Sequence, residues 1–251
     1  MEKFQVAVAT RNPRTIYLSV QLLEDLGLSF VICPPNDIRC ASAKVVITDT
    51  DDTPCTFNPG RQVVVSGYFD VDIVAIEIMM NLFEIDAPHS LAIGVDPGLR
   101  FGLALVADGT AVYAKTLCSP SEAAQDTRHW VSELSTHTGF PHTTVRVGTG
   151  SRLYAALYLR ELSSRSEDIP VEMVDESYTS IDASDESSAV LIASRRGREY
   201  LESDSKLEPK RGYIRSLKHL VRTLSQGRVN LTTNQAREVL LGRMGLSPFL
   251  E

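Results

Sequence analysis

The segment that most constrains this chain is LAIGVDPGLRFGLALV, residues 91–106. Its near-continuous apolar run predicts a strand that is covered on both faces and ends at Asp96. Pro97 and Gly98 then favour a tight turn, after which a second apolar strand returns. Gly102, at the start of that strand, would let another backbone or a phosphate come close. Asp96 therefore has two interpretations: a cap for the turn, or a carboxylate fixed at a strand end, where a hard divalent cation can bind.

The pattern after this hairpin predicts one mixed sheet with helices packed on it. A third strand fits residues 111–117, and Ser119 followed by Pro120 marks the start of a helix. The other expected elements are a strand over 143–147, a helix over 151–162, a strand over 170–174 and a helix that starts near Asp185. The fold class is therefore α/β.

Four motifs in this region resemble those of the RNase H-like superfamily, most closely its RuvC and YqgF branches. They are the first-strand motif GVDPGLRFGLAL, the strand-four turn VRVGTGS, the strand-five motif VDESYTS and the final-helix motif DESSAVLIA. The resemblance covers roughly residues 90–200. It implies an RNase H-like mixed sheet and a nuclease that cleaves phosphodiesters in structured DNA or RNA.

Position by position, the resemblance also implies a set of acidic site residues. The expected catalytic residues are Asp96, Glu176 and Asp185, and the expected metal ligands are the same three together with Asp175. Carboxylate oxygens suit Mg²⁺ or Mn²⁺, and two such ions can activate a water and stabilise the leaving oxygen of a phosphodiester.

Glycines near these acids predict the approach of a phosphate. The expected phosphate-approach residues are Gly98, Gly102, Gly148, Thr149 and Gly150. RuvC-type nucleases usually carry a glutamate around the fourth strand. At that place this chain has Gly148, Thr149 and Gly150.

Other interpretations stay open beside the nuclease. Asp185 and Glu186 also fit the acidic first turn that stabilises many helices. The strand, aspartate and glycine turn of the hairpin also resemble the start of actin-like ATPases, in which such a turn touches phosphate. Residues 148–150, before a helix, could then form a second phosphate cradle, although the chain contains no P-loop pattern. A non-catalytic nucleic-acid-binding or scaffold protein with the same fold is the main alternative.

The residues before the hairpin predict a small, Rossmann-like α/β domain over 1–86, with a linker up to residue 90. Strands are expected over 4–9, 29–32, 44–48 and 62–66, with helices over 14–26 and 71–83. Alternating strands and helices favour a three-layer arrangement. The Thr10–Arg14 loop lacks a glycine fingerprint, so we expect a scaffold or interaction role rather than a ligand site.

Charge distinguishes the C-terminal part of the chain. The protein carries a net charge of −7, yet the residues from Arg195 onward include twelve basic and six acidic side chains. We expect a helical extension over 201–251 that contacts nucleic acid. The expected contacts, three or four residues apart along a helix over 210–224, are Arg211, Arg215, Lys218 and Arg222. An ordinary solvated helix face is the plainer explanation.

The cysteines and the apolar runs bear on the environment. Cys33, Cys40, Cys55 and Cys118 have no CxxC spacing, so we expect buried free thiols in a reducing cytoplasm rather than zinc or disulfides. No signal peptide or membrane-spanning run is visible, so a membrane is not an expected partner. The oligomeric state, a homodimer included, stays open.

Overall fold

Two sheets carry the structure, one in each of two units that cover Met1–Ala87 and Pro88–Glu251. The computed structural model describes residues 4–52, 56, 61–136, 140–163, 169–176 and 184–249. The last four residues of the VDESYTS motif, 177–180, therefore lie outside the described residues. Within the described residues, no helix is both long enough and apolar enough to cross a membrane.

The first unit contains a four-stranded parallel sheet in the order β2-β1-β3-β4. Its elements are β1 (Val6–Ala9), α1 (Pro13–Asp25), β2 (Phe30–Cys33), β3 (Val45–Asp49), β4 (Gln62–Val65) and α2 (Val71–Leu82). All four residues of β1 are buried, as a central strand requires. Asn12 caps α1 by accepting the backbone N–H groups of Arg14 and Thr15, and Asp70 caps α2 in the same way.

The expectation of free thiols is wrong for two cysteines of this unit. Cys33, at the end of β2, forms a disulfide with Cys40 in the 3₁₀ turn Ile38–Ser42. Both cysteines are buried in a small apolar cluster, because the turn folds back against the strand end. Cys118 is free but exposed rather than buried, and Cys55 lies outside the described residues.

The second unit contains a six-stranded mixed sheet in the order β10-β9-β8-β5-β6-β7. Its strands are β5 (Leu91–Pro97), β6 (Phe101–Ala107), β7 (Thr110–Leu117), β8 (Thr144–Gly148), β9 (Val171–Val174) and β10 (Arg198–Glu199). The central strand β5 is antiparallel to β6 and parallel to β8. The predicted α/β class with an RNase H-like mixed sheet and flanking helices is confirmed, with element ends shifted by a residue or two.

Five α-helices surround this sheet in the described residues, and one of them, α5, packs unusually close to it. They are α3 (Pro120–Ser135), α4 (Arg152–Ser163), α5 (Asp185–Ala193), α6 (Arg211–Leu224) and α7 (Thr233–Leu240). A Cβ atom at Gly94 of β5 would overlap the carbonyl oxygen of Ala189, and one at Gly102 of β6 would overlap that of Asp185. The two glycines therefore let the backbone of α5 lie directly on the hairpin.

The C-terminal helices share a core with α4. Their buried residues Leu217, Leu220 and Leu240 belong to one apolar cluster with Leu153 and Leu157. The half-buried Arg160 of α4 strengthens this junction, since its guanidinium donates to the carbonyl oxygens of Ser205, Val239 and Leu240 at 2.7–2.8 Å. The basic C-terminal extension is thus an integral part of the second unit and shares its hydrophobic core.

We expect Gly94→Ala to destabilise the protein by about 1–3 kcal/mol, because the added methyl group must displace the backbone of α5. Gly212→Ala is the matched control, since a Cβ atom there meets nothing within 4 Å and alanine favours a helix. Denaturant unfolding of both variants measures the difference. Equal stabilities would contradict the close contact between α5 and the sheet.

Candidate active site

Asp96 lies at the carboxyl end of the central strand. It pairs with Gly102 of β6 across the hairpin, while the preceding residue, Val95, pairs with Val147 of β8. Because side chains alternate along a strand, Asp96 shares with Gly94 the face of the sheet on which α5 packs. The register therefore directs this carboxylate towards the start of α5.

Two acidic side chains lie near the Asp96 carboxylate. The pKa of Asp96 is raised to about 6: burial contributes most, the charges of Glu176 and Asp185 add to it, and a hydrogen bond with the Ser188 side chain opposes them. An influence of this kind requires Glu176 and Asp185 each to lie close enough to Asp96 to repel its charge. The structure thus brings together the strand-end acid and the two acids nominated from later motifs.

Glu176 is held by the turn after β8. A Cβ atom at either Gly148 or Gly150 would overlap the Glu176 carboxylate, and the Gly150 N–H donates to Glu176 Oε1 at 2.9 Å. The glycines nominated for a phosphate therefore accommodate a protein side chain. These contacts favour Glu176 over its exposed neighbour Asp175 as the inward-facing acid.

The start of α5 separates two acids with different partners. Ser184 caps the helix by accepting the Ser187 N–H at 3.2 Å, and Asp185 follows as the first helical residue. Arg100 Nε lies 3.9 Å from Asp185 Oδ2, and both side chains are substantially exposed. Glu186 instead accepts a hydrogen bond from the Thr116 hydroxyl, which lowers the Glu186 pKa. Asp185 is thus the acid of this turn that faces the cluster.

The other nominated glycines serve the backbone. A Cβ atom at Gly98 would lie 2.9 Å from the Arg100 carbonyl oxygen, so glycine permits the tight turn of the hairpin. Gly102 admits the first turn of α5, as described above. Thr149 donates its N–H and its hydroxyl to the Val174 carbonyl oxygen, at 3.0 and 3.2 Å, which ties the β8 turn to β9.

The residues present fit a hard divalent cation by their chemistry. Asp96, Glu176 and Asp185 offer only oxygen donors, and their mutual repulsion is what a bound cation relieves. As placed, the described residues contain no group of three or more His, Cys, Asp or Glu side chains that is close enough to hold an ion. Binding would therefore require these side chains to rearrange.

Two residues of the site were missed in the sequence. Arg100 contributes the positive charge beside Asp185, and Ser188 hydrogen-bonds Asp96. The spacing of three residues between Asp185 and Ser188 places both on one face of a helix and could have indicated the second. The position of Arg100 beside Asp185 becomes clear only from the register of the β5–β6 hairpin.

The basic residues nominated on α6 fall into two groups. Arg211, Arg215 and Arg222 are exposed, and among the described residues none of them forms an ion pair. Lys218 is partly buried, and its Nζ donates to the Thr233 hydroxyl of α7 at 3.1 Å. Three cations thus remain available to an anionic partner.

No protein-family model and no curated protein matches this chain. Among solved structures, it is similar to an Argonaute from Marinitoga piezophila in complex with 5′ OH guide RNA, at 10% identity and a TM-score of 0.26. The match covers 68% of this chain but only 39% of the Argonaute chain. The same Argonaute with guide RNA and target DNA gives the same identity and coverage, with a TM-score of 0.28.

A further solved structure is the Ppx/GppA phosphatase of Aquifex aeolicus in its type II variant. Its identity is 10%, its TM-score is 0.18, and the match covers 95% of this chain and 75% of that chain. Similarities this low carry no argument about function. The assignment of the fold rests on the strand order of the sheet.

We expect Asp96→Asn to raise the thermal stability of the metal-free protein above pH 6. The Asp96 pKa is about 6 in the folded state against an ordinary value of 3.8, so its ionisation destabilises the fold progressively as the pH rises from about 4 to 6. Below about pH 4 both folded and unfolded states are protonated, and the advantage of the variant should vanish. Thermal unfolding in EDTA across this range measures the effect; a constant difference at every pH would contradict it.

Proposed function

We propose that this protein is a metal-dependent nuclease that cleaves phosphodiesters in structured DNA or RNA, of the RuvC or YqgF type. The observation that supports the proposal is that Asp96, at the carboxyl end of the central strand, lies close enough to Glu176 and Asp185 for their charges to act on its carboxylate. Each comes from a different element, and each is positioned by a glycine contact or a strand register. An acid that merely caps a turn would need none of this arrangement.

The three carboxylates would hold Mg²⁺ or Mn²⁺, which when bound activates a water and stabilises the leaving oxygen of a phosphodiester. The Gly150 N–H orients Glu176, and the Ser188 side chain orients Asp96. Arg100, at the exposed rim, lies where its guanidinium can contact an anionic substrate. These residues place and orient the donors, so that little reorganisation accompanies the reaction.

A non-catalytic nucleic-acid-binding protein with the same fold is the second candidate. The described residues contain no preformed group of three ligands, and the turn after β8 offers glycines rather than an acid. Both observations are compatible with binding that lacks cleavage. The basic surface of α6 serves either function.

Asp96→Asn should abolish Mg²⁺- or Mn²⁺-dependent cleavage of junctions, duplexes or structured RNA, because it removes the central anionic ligand and keeps the shape. Nucleic-acid binding should be spared, and Mn²⁺ should raise the melting temperature of the wild type but not of the variant. The control is Asp25→Asn, which changes an exposed acid at the end of α1. Equal background cleavage by the wild type and Asp96→Asn on every substrate would reject the nuclease and favour the second candidate.

Exchanging Arg211, Arg215 and Arg222 together for glutamine should weaken nucleic-acid binding and flatten its dependence on salt. Each lost phosphate contact on duplex DNA removes about 0.9 from the slope of log K against log salt, so the slope should fall by roughly 2 to 3. Point substitutions are preferable to deleting the extension, since its leucines belong to the core of α4. An unchanged slope would show that these arginines are only solvated.

A further inference from the structure

Arg100 lies in the turn of the β5–β6 hairpin, beside the first acid of α5. Its Nε is 3.9 Å from Asp185 Oδ2, and its positive charge also acts on the Glu186 carboxylate. The close approach of α5 determines this position. A Cβ atom at Gly102, two residues after Arg100, would overlap the Asp185 carbonyl oxygen. The hairpin therefore brings a guanidinium to the acid of α5 that acts on Asp96.

The ion pair between Arg100 and Asp185 is loose. The two side chains are 65% and 40% exposed, and the contact is made through Nε of a group that has five N–H donors. Water screens an exposed pair of this kind, and the arginine side chain loses conformational freedom in forming it. Another anion can therefore compete with Asp185 for the guanidinium.

Two events would draw Arg100 away from Asp185. A divalent cation held by the carboxylates neutralises the charge of Asp185 and repels the guanidinium. A phosphodiester that approaches the same carboxylates offers two oxygens, which a guanidinium binds through parallel N–H groups. Both events act in the same direction, from the carboxylate towards the phosphate.

We propose that Arg100 serves two anions in turn: the Asp185 carboxylate while the cluster holds no cation, and an internal phosphate of the nucleic-acid strand once it does. The inference rests on the proposed function and goes beyond it, since it makes one arginine respond to both the metal and the strand. Loss of the guanidinium should therefore favour the metal and disfavour the strand. A residue with a purely structural role would not produce these opposite effects.

The metal is tested first, without nucleic acid. Arg100→Gln should bind Mn²⁺ about two- to fivefold more tightly than the wild type, because it removes an exposed counter-charge of Asp185. The electron paramagnetic resonance signal of free Mn²⁺ measures the affinity. Arg100→Lys should bind like the wild type, since it keeps the charge. An affinity of Arg100→Gln equal to that of the wild type, or weaker, would overturn the proposal.

Arg196→Gln is the matched control for this measurement. It makes the same change of charge at an exposed arginine in the same unit, beyond the last residue of α5. The nine residues of this helix separate it from Asp185 by about 12 Å. The Mn²⁺ affinity of this variant should equal that of the wild type. Tightening as large as that of Arg100→Gln would reject a local effect at Asp185.

The strand is tested next, by fluorescence anisotropy with a single-stranded oligonucleotide in Ca²⁺, which also takes oxygen ligands. A gel verifies that the oligonucleotide stays intact. Arg100→Gln should bind more weakly, with a slope of log K against log salt that is shallower by about 0.7, the value for one phosphate contact. Arg100→Lys should keep the slope. In EDTA the difference between Arg100→Gln and the wild type should disappear; a difference of equal size in EDTA and in Ca²⁺ would overturn the exchange between anions.

Two comparisons complete the test. Strands with a 5′-hydroxyl and with a 5′-phosphate should lose the same affinity in Arg100→Gln, and a loss confined to the phosphorylated strand would reject an internal phosphate. Mn²⁺ binding by the wild type that Asp96→Asn leaves unchanged would reject the proposed function and the role of Arg100 with it. Mn²⁺ binding that depends on Asp96 but not on Arg100 would reject the role of Arg100 alone. Thermal unfolding of each variant monitors the fold.

Discussion

The contact between the backbone of α5 and the β5–β6 hairpin is the constraint on which the candidate site depends. Gly94 and Gly102 lack the side chains that would hold the helix at an ordinary distance from the sheet. The helix consequently starts beside the end of β5, which brings Asp185 close to Asp96. Interiors pack at crystal-like density, so even one methyl group in this contact must move the helix and its first acid with it.

The architecture of the second unit was predictable because its elements depend on local patterns. The apolar run of β5, the Ser119 cap with Pro120 and the periodicity of α6 each determined an element to within a residue or two. The acids of the site were also nominated from sequence, through motifs that resemble a superfamily. Their proximity is a property of the tertiary structure, and it becomes visible only when the strand register is known.

The glycines of the β8 turn show what a sequence does not specify. A glycine indicates that something comes close, but it does not say what. Gly148 and Gly150 were expected to let a phosphate approach, and the structure shows the Glu176 carboxylate packed against both of them. Cys33 and Cys40 fail for a related reason: no motif marks a pair seven residues apart, and the disulfide follows from a turn that folds back on its strand.

The anchoring of the C-terminal helices by Arg160 has a geometric consequence. A helix rises 1.5 Å per residue, so this anchor lies about 12 Å along α4 from its first residue at the β8 turn. Since α4 is one uninterrupted helix, the basic extension is held at a set distance from the strand ends instead of moving on a tether. The β8 turn and the C-terminal helices therefore stay at a fixed separation, and a ligand that contacts both must be long enough to span it.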